Sequence, residues 1–379
     1  MRRSGIYAVI PLIFIFFVAL QCGEKMKLPT ETPYEGGLGD TLYIQMNPPW
    51  DADHGYDFNN PQAIYFGKDT YLYVADTDNN RILQMDAGGT IHNQIAINHP
   101  ISISQDELMR LLVVTGEQVV YKIDMGPSGD MQPYVAYDYG AITDPLAKDH
   151  NLLNSDDIFV SITDFLDITK SYFVAVRSSE NDGGNGRILW FWGNVNPDSS
   201  DSLFDPMFTN AVSDTFQNPI VETGNGITTI NYPRHIYMYP VGNSAHLVVC
   251  QDSGSYPVHD MIFEKLVWNN HWVFNYTHYP GEADILIPGQ FDDPTGATVD
   301  AEGNIFVVDG GENRSCGGYK FSRAGMLLET FCEPDTFDNV FIRPSSVTYD
   351  LFGNRRTVFI ADAGRNSILR FKLSTDLEN

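Results

Sequence analysis

Three stretches of this chain repeat one pattern. Residues 58–89 read FNNPQAIYFGKDTYLYVADTDNNRILQMDAGG, residues 291–326 read FDDPTGATVDAEGNIFVVDGGENRSCGGYKFSRAGM, and residues 341–373 read FIRPSSVTYDLFGNRRTVFIADAGRNSILRFKL. Each opens on an aromatic residue and a proline, crosses a short strand, turns, and runs a second strand into aspartate before a third begins. Pro61 to Asp76 and Pro294 to Asp309 both span 15 residues, whereas Pro344 to Asp362 spans 18, the excess falling in the turn at 353–356. An internal period of this kind constrains the fold more than any single motif, because each unit has a hydrophobic face it cannot bury alone.

The apolar runs are short, alternating or wholly apolar, and none has the 3.6-residue period of an amphipathic helix. Weaker copies fill the gap between the clear ones. One runs from His99, with Pro100 and Thr115 again 15 residues apart; one lies at 159–193, with Arg177 read at the aspartate position; one lies at 232–252, closed by the hairpin around Asn269-Asn270. Six small sheets stacked about an axis form an all-β, six-bladed β-propeller. The sixth unit supplies only about three strands and would leave a free edge. Residues 38–50, LGDTLYIQMNPPW, are therefore expected to pair with it as its outermost strand, which bounds the propeller at 38–374 and leaves 375–379 as a tail.

The first 21 residues read as an export signal: Arg2 and Arg3 precede an apolar run, Ile6 to Leu20, too short to span a bilayer comfortably. Cys22 follows Ala19-Leu20-Gln21, which resembles the lipobox of bacterial lipoproteins, although Gln21 stands where that motif has a small residue. The resemblance implies a lipid on Cys22, residues 22–37 as a tether, and a place at the cell envelope with the membrane as one partner. Export also suits a disulfide between Cys316 and Cys332, while Cys250, in the run LVVC, reads as a small buried hydrophobe. Formal net charge is −26, and −28 without Arg2 and Arg3, so a phosphate backbone would be repelled and nucleic acid is not an expected partner.

The wording VADTDNNRI at 74–82, with its partial copies at Asp309 and Asp362, resembles the NHL-repeat β-propeller family over roughly residues 40–374. That resemblance implies the fold. Residues copied once per blade are explained first by architecture, so Asp76, Asp309 and Asp362 are expected to accept hydrogen bonds from the turn that follows, with Arg81 bridging to a carboxylate.

Function is expected at one mouth of the axial channel, where the positions after the blade-opening prolines, Gln62, Arg234, Thr295 and Ser345, are comparable. Arg177, Arg234 and His235 together could hold an anionic ligand, or could offset neighbouring carboxylates. Insertions at 126–157 and 193–232, with Tyr134, Tyr137, Tyr139, Phe204 and Phe208, read as long recognition loops. Calcium is a possible cofactor: Asp51, Asp53 and Asp57 alternate as at the start of an EF-hand loop, without the later glutamate, and an acidic linker explains them equally.

Lyases of this repeat family hold zinc through histidines after the blade prolines, and other six-bladed propellers are calcium-dependent lactonases; here only His235 lies near such a place. There is no GxSxG elbow and no Gly-rich phosphate loop. The expectation is a binding scaffold for a protein, peptide or glycan, with a metal-dependent lyase or lactonase as the alternative.

Overall fold

The computed structural model describes residues 42–125, 131–138, 156–164, 171–178, 186–193, 204–206, 230, 232–241, 244–252, 260–268, 272–276, 283–313, 317–331, 340–350 and 356–377. These form 24 strands in six four-stranded antiparallel sheets, with no α-helix among the described residues. Blade one is β2 (Pro61–Phe66), β3 (Leu72–Asp76), β4 (Arg81–Met85) and β5 (Ile91–Ala96). Blade two is β6 (Ser102–Gln105), β7 (Leu111–Val114), β8 (Val119–Met125) and β9 (Met131–Asp138); blade three is β10 (Asp157–Asp164), β11 (Ser171–Ser178), β12 (Arg187–Gly193) and β13 (Phe204–Pro206). Blade four is β14 (Pro233–Val241), β15 (Ser244–Gln251), β16 (Met261–Trp268) and β17 (Trp272–Tyr276); blade five is β18 (Pro294–Val299), β19 (Ile305–Asp309), β20 (Gly318–Phe321) and β21 (Leu327–Thr330).

Blade six closes the ring. It contains β22 (Pro344–Tyr349), β23 (Thr357–Asp362) and β24 (Ser367–Leu373), and its outermost strand is β1 (Tyr43–Trp50) from the other end of the chain. Tyr43 pairs with Leu373 and Trp50 with Ile368. The six innermost strands, β2, β6, β10, β14, β18 and β22, each touch the next, and β22 touches β2.

The hydrophobic core lies between blades rather than within them. Leu72, Val74 and Met85 of blade one, for example, pack on Phe359, Ala361 and Ile368 of blade six. Each of the larger of these side chains, removed from water, contributes about 2 kcal/mol. Cys250 is buried and unpaired in one of these interfaces, where burial pushes its thiol up.

An innermost strand has one edge facing the channel, whose backbone N–H groups need acceptors. Hydroxyls from the preceding blade supply them. Ser346 and Thr348 accept from Ile64 and Phe66 N–H at 3.2 and 3.0 Å. Ser102 and Ser104 accept from Ile162 and Asp164, and Ser161 and Thr163 accept from Ile236 and Met238. Gly296 stands at this position in blade five because a Cβ there would meet Ser346 Cα at 3.0 Å.

Two expectations are corrected. Residues 126–157 and 193–232 are not loops throughout, because β9 and β13 inside them are the outermost strands of blades two and three. An outermost strand faces water on one edge, so it tolerates proline and polar residues and reads as loop in composition. The β16–β17 hairpin forms, but Trp268 pairs with Trp272, leaving three residues between the strands rather than two. Asn269-Asn270, Tyr139, Phe208, Cys22 with the export and tether segments, and the Cys316–Cys332 pair lie outside the described residues.

The closing strand carries a titratable contact. Tyr43 N–H donates to Glu329 Oε1 of blade five at 2.8 Å, and burial raises the Glu329 carboxyl to about 7 from the ordinary glutamate value of 4.5. A carboxyl raised on folding contributes its full stability below its unfolded value, and that contribution is lost as pH rises through the folded one. The Glu329→Gln protein, which keeps an acceptor without the charge, should therefore match wild type near pH 4.5 and gain on it up to about pH 8. The expected gain is on the order of 1–2 kcal/mol, allowing for solvent screening, read from chemical melts at successive pH values.

Candidate functional site

The corner aspartates are fully buried, and each caps two segments at once. Asp309 accepts from Asp292 and Asp293 N–H, both at 2.8 Å, and from Gly311 N–H at 2.9 Å. Asp362 accepts from Ile342, Arg343, Gly364 and Arg365 N–H. Asp76 accepts from Asn59 N–H at 2.7 Å, from Asn79, and from Arg81 Nε at 2.7 Å, while Arg81 also reaches Asp57. Each carboxylate thus ties the turn after its strand to the residues before its blade-opening proline. Where Ser367 stands in place of Arg81, Arg365 Nε approaches Asp362 at 3.5 Å from within the turn.

Those pre-proline residues form the mouth. The motif is a buried apolar residue, two variable residues, then proline: Phe58-Asn59-Asn60-Pro61, Phe291-Asp292-Asp293-Pro294, Phe341-Ile342-Arg343-Pro344, and in weaker copies Ile97 before Pro100 and Ile230 before Pro233. The variable pair hydrogen-bonds through its backbone, which frees its side chains to differ. In blade four the second of the pair is Tyr232.

The position after the proline is the extra residue of a β-bulge in blades one, four, five and six, where strand pairing skips Gln62, Arg234, Thr295 and Ser345. A bulge re-aims the unpaired side chain. Three of the four reach across to the next blade: Thr295 Oγ1 donates to Pro344 O at 2.8 Å, Ser345 Oγ donates to Pro61 O at 2.6 Å, and Arg234 Nε donates to Asp293 Oδ1 at 2.8 Å. Gln62 instead donates to Asn60 Oδ1, which also accepts from Arg343.

The three cationic candidates divide. Arg177 and Arg234 come together on one ring, their guanidinium carbons 4.0 and 5.0 Å from the Tyr232 centroid. His235, the next residue along the strand, turns the other way into the channel, with Nε2 3.2 Å from Ala297 O and Nδ1 3.5 Å from Ser161 Oγ. Burial lowers its imidazole to about 4, so the ring is neutral at physiological pH and adds no charge to the arginines. The register also moves Arg177. Phe159 pairs with Val176 as Pro61 pairs with Asp76, so Val176 holds the corner position and Arg177 lies one residue beyond it.

Between blades four, five and six the mouth widens into a groove of about 770 Å³. Its floor includes Gly310, Gly311 and Gly364, where close approach forbids a side chain: a Cβ on Gly364 would meet Arg343 N at 2.8 Å, and one on Gly311 would meet Asp292 Cβ at 2.3 Å. Its rim carries Asp252, Asp292, Asp293, Glu312 and Arg343. Arg234 lies between two of these carboxylates, 2.8 Å from Asp293 and 3.5 Å from Asp252. Burial, followed by Asp252 and Asp309, raises the Asp293 carboxyl, which Arg234 partly opposes.

Among the innermost strands lies a separate cavity of about 20 Å³, lined by Tyr65, Tyr237, His235 and the inter-blade hydroxyls. That is room for about one water. Lys68 reaches from blade one to Asp164 of blade three at 2.8 Å, and burial is the main cause of the raised Asp164 carboxyl.

The Asp51–Asp57 stretch has other work. Asp51 Oδ1 accepts from His54 N–H and lies 2.7 Å from His54 Nδ1, and Asp57 pairs with Arg81. Among the described residues no three His, Cys, Asp or Glu side chains form a group that could hold a metal ion. Sequence reading missed Tyr232, Asp252, Asp292, Asp293, Glu312 and Arg343. The available signal was variation itself, in the pair between a fixed apolar residue and a fixed proline.

No protein-family model and no curated protein matches the sequence. Solved structures match its shape. A luciferin-regenerating enzyme aligns at 12% identity with a TM-score of 0.52, over 88% of this chain and 95% of that one. A structural genomics protein of unknown function from Bacteroides thetaiotaomicron aligns at 12% identity and TM-score 0.52, over 88% and 72% of the two chains. Regucalcin, a calcium-binding protein from Agrobacterium tumefaciens, aligns at 9% identity and TM-score 0.50, over 83% and 90%. At such identities the shared property is the fold, and by that fold this chain is a six-bladed β-propeller.

Proposed function

We propose that this is an exported β-propeller, held at the cell envelope by a lipid on Cys22, that binds a protein, peptide or glycan in the groove at its channel mouth. The observation that carries the reading is the groove of about 770 Å³ formed by the residues that flank the blade-opening prolines of blades five and six, with a floor of glycine backbone and a charged rim. The groove's backbone floor and charged rim suit a polar, extended ligand better than a small apolar one.

The test is retention of envelope components by immobilised protein, comparing wild type with the exposed-rim double variant Glu312→Lys, Arg343→Glu. Saturable retention by wild type that falls at least tenfold in the variant, at unchanged melting temperature, supports the reading. Equal retention by both proteins overturns it. Cys22→Ser should also move the protein from the membrane to the soluble fraction. Calcium or zinc bound in stoichiometric amount by the purified protein would turn the reading towards a metal-dependent lyase or lactonase.

A further inference from the structure

In blades one and five the residue immediately after the corner faces the opening proline of the next blade, and it is small. Thr77 Oγ1 donates to Pro100 O at 2.6 Å, and Gly310 lies so close to blade six that a Cβ would meet Pro344 O at 3.0 Å. Gly116 and Ala363 hold the same place in blades two and six. Two blades depart. Blade three has Arg177 and blade four has Asp252, and these flank the opening of blade four, Tyr232-Pro233-Arg234.

The two arginines there are not equivalent. Arg234 is matched by Asp293 and Asp252. Arg177 lies against Tyr232, which is also its side-chain hydrogen-bond partner, and among the described residues its Nε and Nη1 are buried with no acceptor. Two guanidinium donors held out of water beside a second guanidinium, with no acceptor, are costly unless an acceptor joins them. A repeat architecture that fills the position with Gly, Ala or Thr elsewhere does not require that cost. The Tyr232 ring holds the guanidinium in place, 4.0 Å from its centroid, and a guanidinium's paired donors match a planar oxyanion.

We infer that Arg177, held by Tyr232 and lying beyond the Asp252–Arg234–Asp293 edge of the groove, is the anchor for a carboxylate of the ligand that enters the groove. This rests on the groove being the binding site. The carboxylate would lie next to Arg234 and continue the alternation of cation and carboxylate that Arg234 already forms with Asp293. A phosphate dianion fits less well, because its second charge would face Asp293 and Asp252 across a short distance in a molecule of net charge −26.

The experiment is a titration of full-length protein, labelled with ¹⁵N at arginine, with N-acetyl-alanine, N-acetyl-alaninamide and methyl phosphate. The Arg177 Nε–H signal is assigned by its loss in Arg177→Lys. The expected result is a saturable shift of that signal by N-acetyl-alanine, half-complete on the order of 1–10 mM for so small a probe, and at least tenfold weaker response to the amide and to methyl phosphate. No saturation by 100 mM, a scale set roughly tenfold above that range, overturns the assignment, as does an equal shift by the amide or by methyl phosphate. The titration is read in wild type, so it does not depend on a variant folding. A groove ligand retained equally by wild type and Arg177→Gln would overturn the carboxylate anchor alone and leave the groove reading in place.

Discussion

Deleting residues 42–50 should abolish cooperative unfolding, leaving a protein that binds hydrophobic dyes and aggregates. The deletion removes β1, which opens the ring and exposes the whole edge of β24 to other chains. It also removes Trp50, which is 3% exposed, lies 5.9 Å from Phe359 and stacks on Tyr56 at 5.7 Å, with the Arg370 guanidinium 4.6 Å from its ring. Trp50→Ala alone should cost about 3–5 kcal/mol from lost contact and the cavity left behind.

The same geometry supplies a control. Ser374 N–H donates to Leu42 O at 2.7 Å, so the end of β24 lies beside the start of β1. A circular permutant that joins the chain there by a short linker and opens it between Trp50 and Asp57 turns the closure into an ordinary hairpin. It should fold, with a melting temperature within a few degrees of wild type. A deletion variant that melts as sharply as wild type, or a permutant that fails to fold, would contradict closure by this strand.

Asp309→Ala should be the most damaging single polar substitution in blade five. It leaves the N–H groups of Asp292, Asp293 and Gly311 without their acceptor beneath the groove. Each orphaned buried donor costs about 1–3 kcal/mol, so a total of roughly 4 kcal/mol is expected after partial relaxation. For a domain of this size that is about a 5 °C fall in melting temperature. Asp309→Asn should recover only part of it, because an amide offers one acceptor oxygen and presents a donor to the remaining N–H groups. The exposed Asp78, which among the described residues accepts from the Asn60 side chain, makes the matched control: Asp78→Ala should change stability by less than about 0.5 kcal/mol. Equal effects at the two positions would remove the basis for treating the corners as architecture.

The residues that repeat are those a reader of the sequence can place. Phe58, Pro61 and Asp76 recur as Phe291, Pro294 and Asp309 because these two blades are built on the same buried ring, the same bulge and the same capped turn. Blade count and closure follow from that periodicity, since an unpaired fourth edge has to be covered. The recurrence also separated the buried Asp309 from a catalytic reading.

The site belongs to the other category. Whether Thr295 and Ser345 offer their hydroxyls to a ligand or to the next blade depends on where that blade's proline carbonyl lies, which is a distance between residues 49 and 284 positions apart. That Arg177 joins Arg234 while His235 leaves it follows from side-chain direction at a bulge and from a one-residue register difference in blade three. Local sequence determined the repeating unit of this protein, because short-range periodicity and turn chemistry act within a single blade. The tertiary structure alone decided which charges meet at the mouth, because those contacts are made between blades, where electrostatics depends on separation in space and not along the chain.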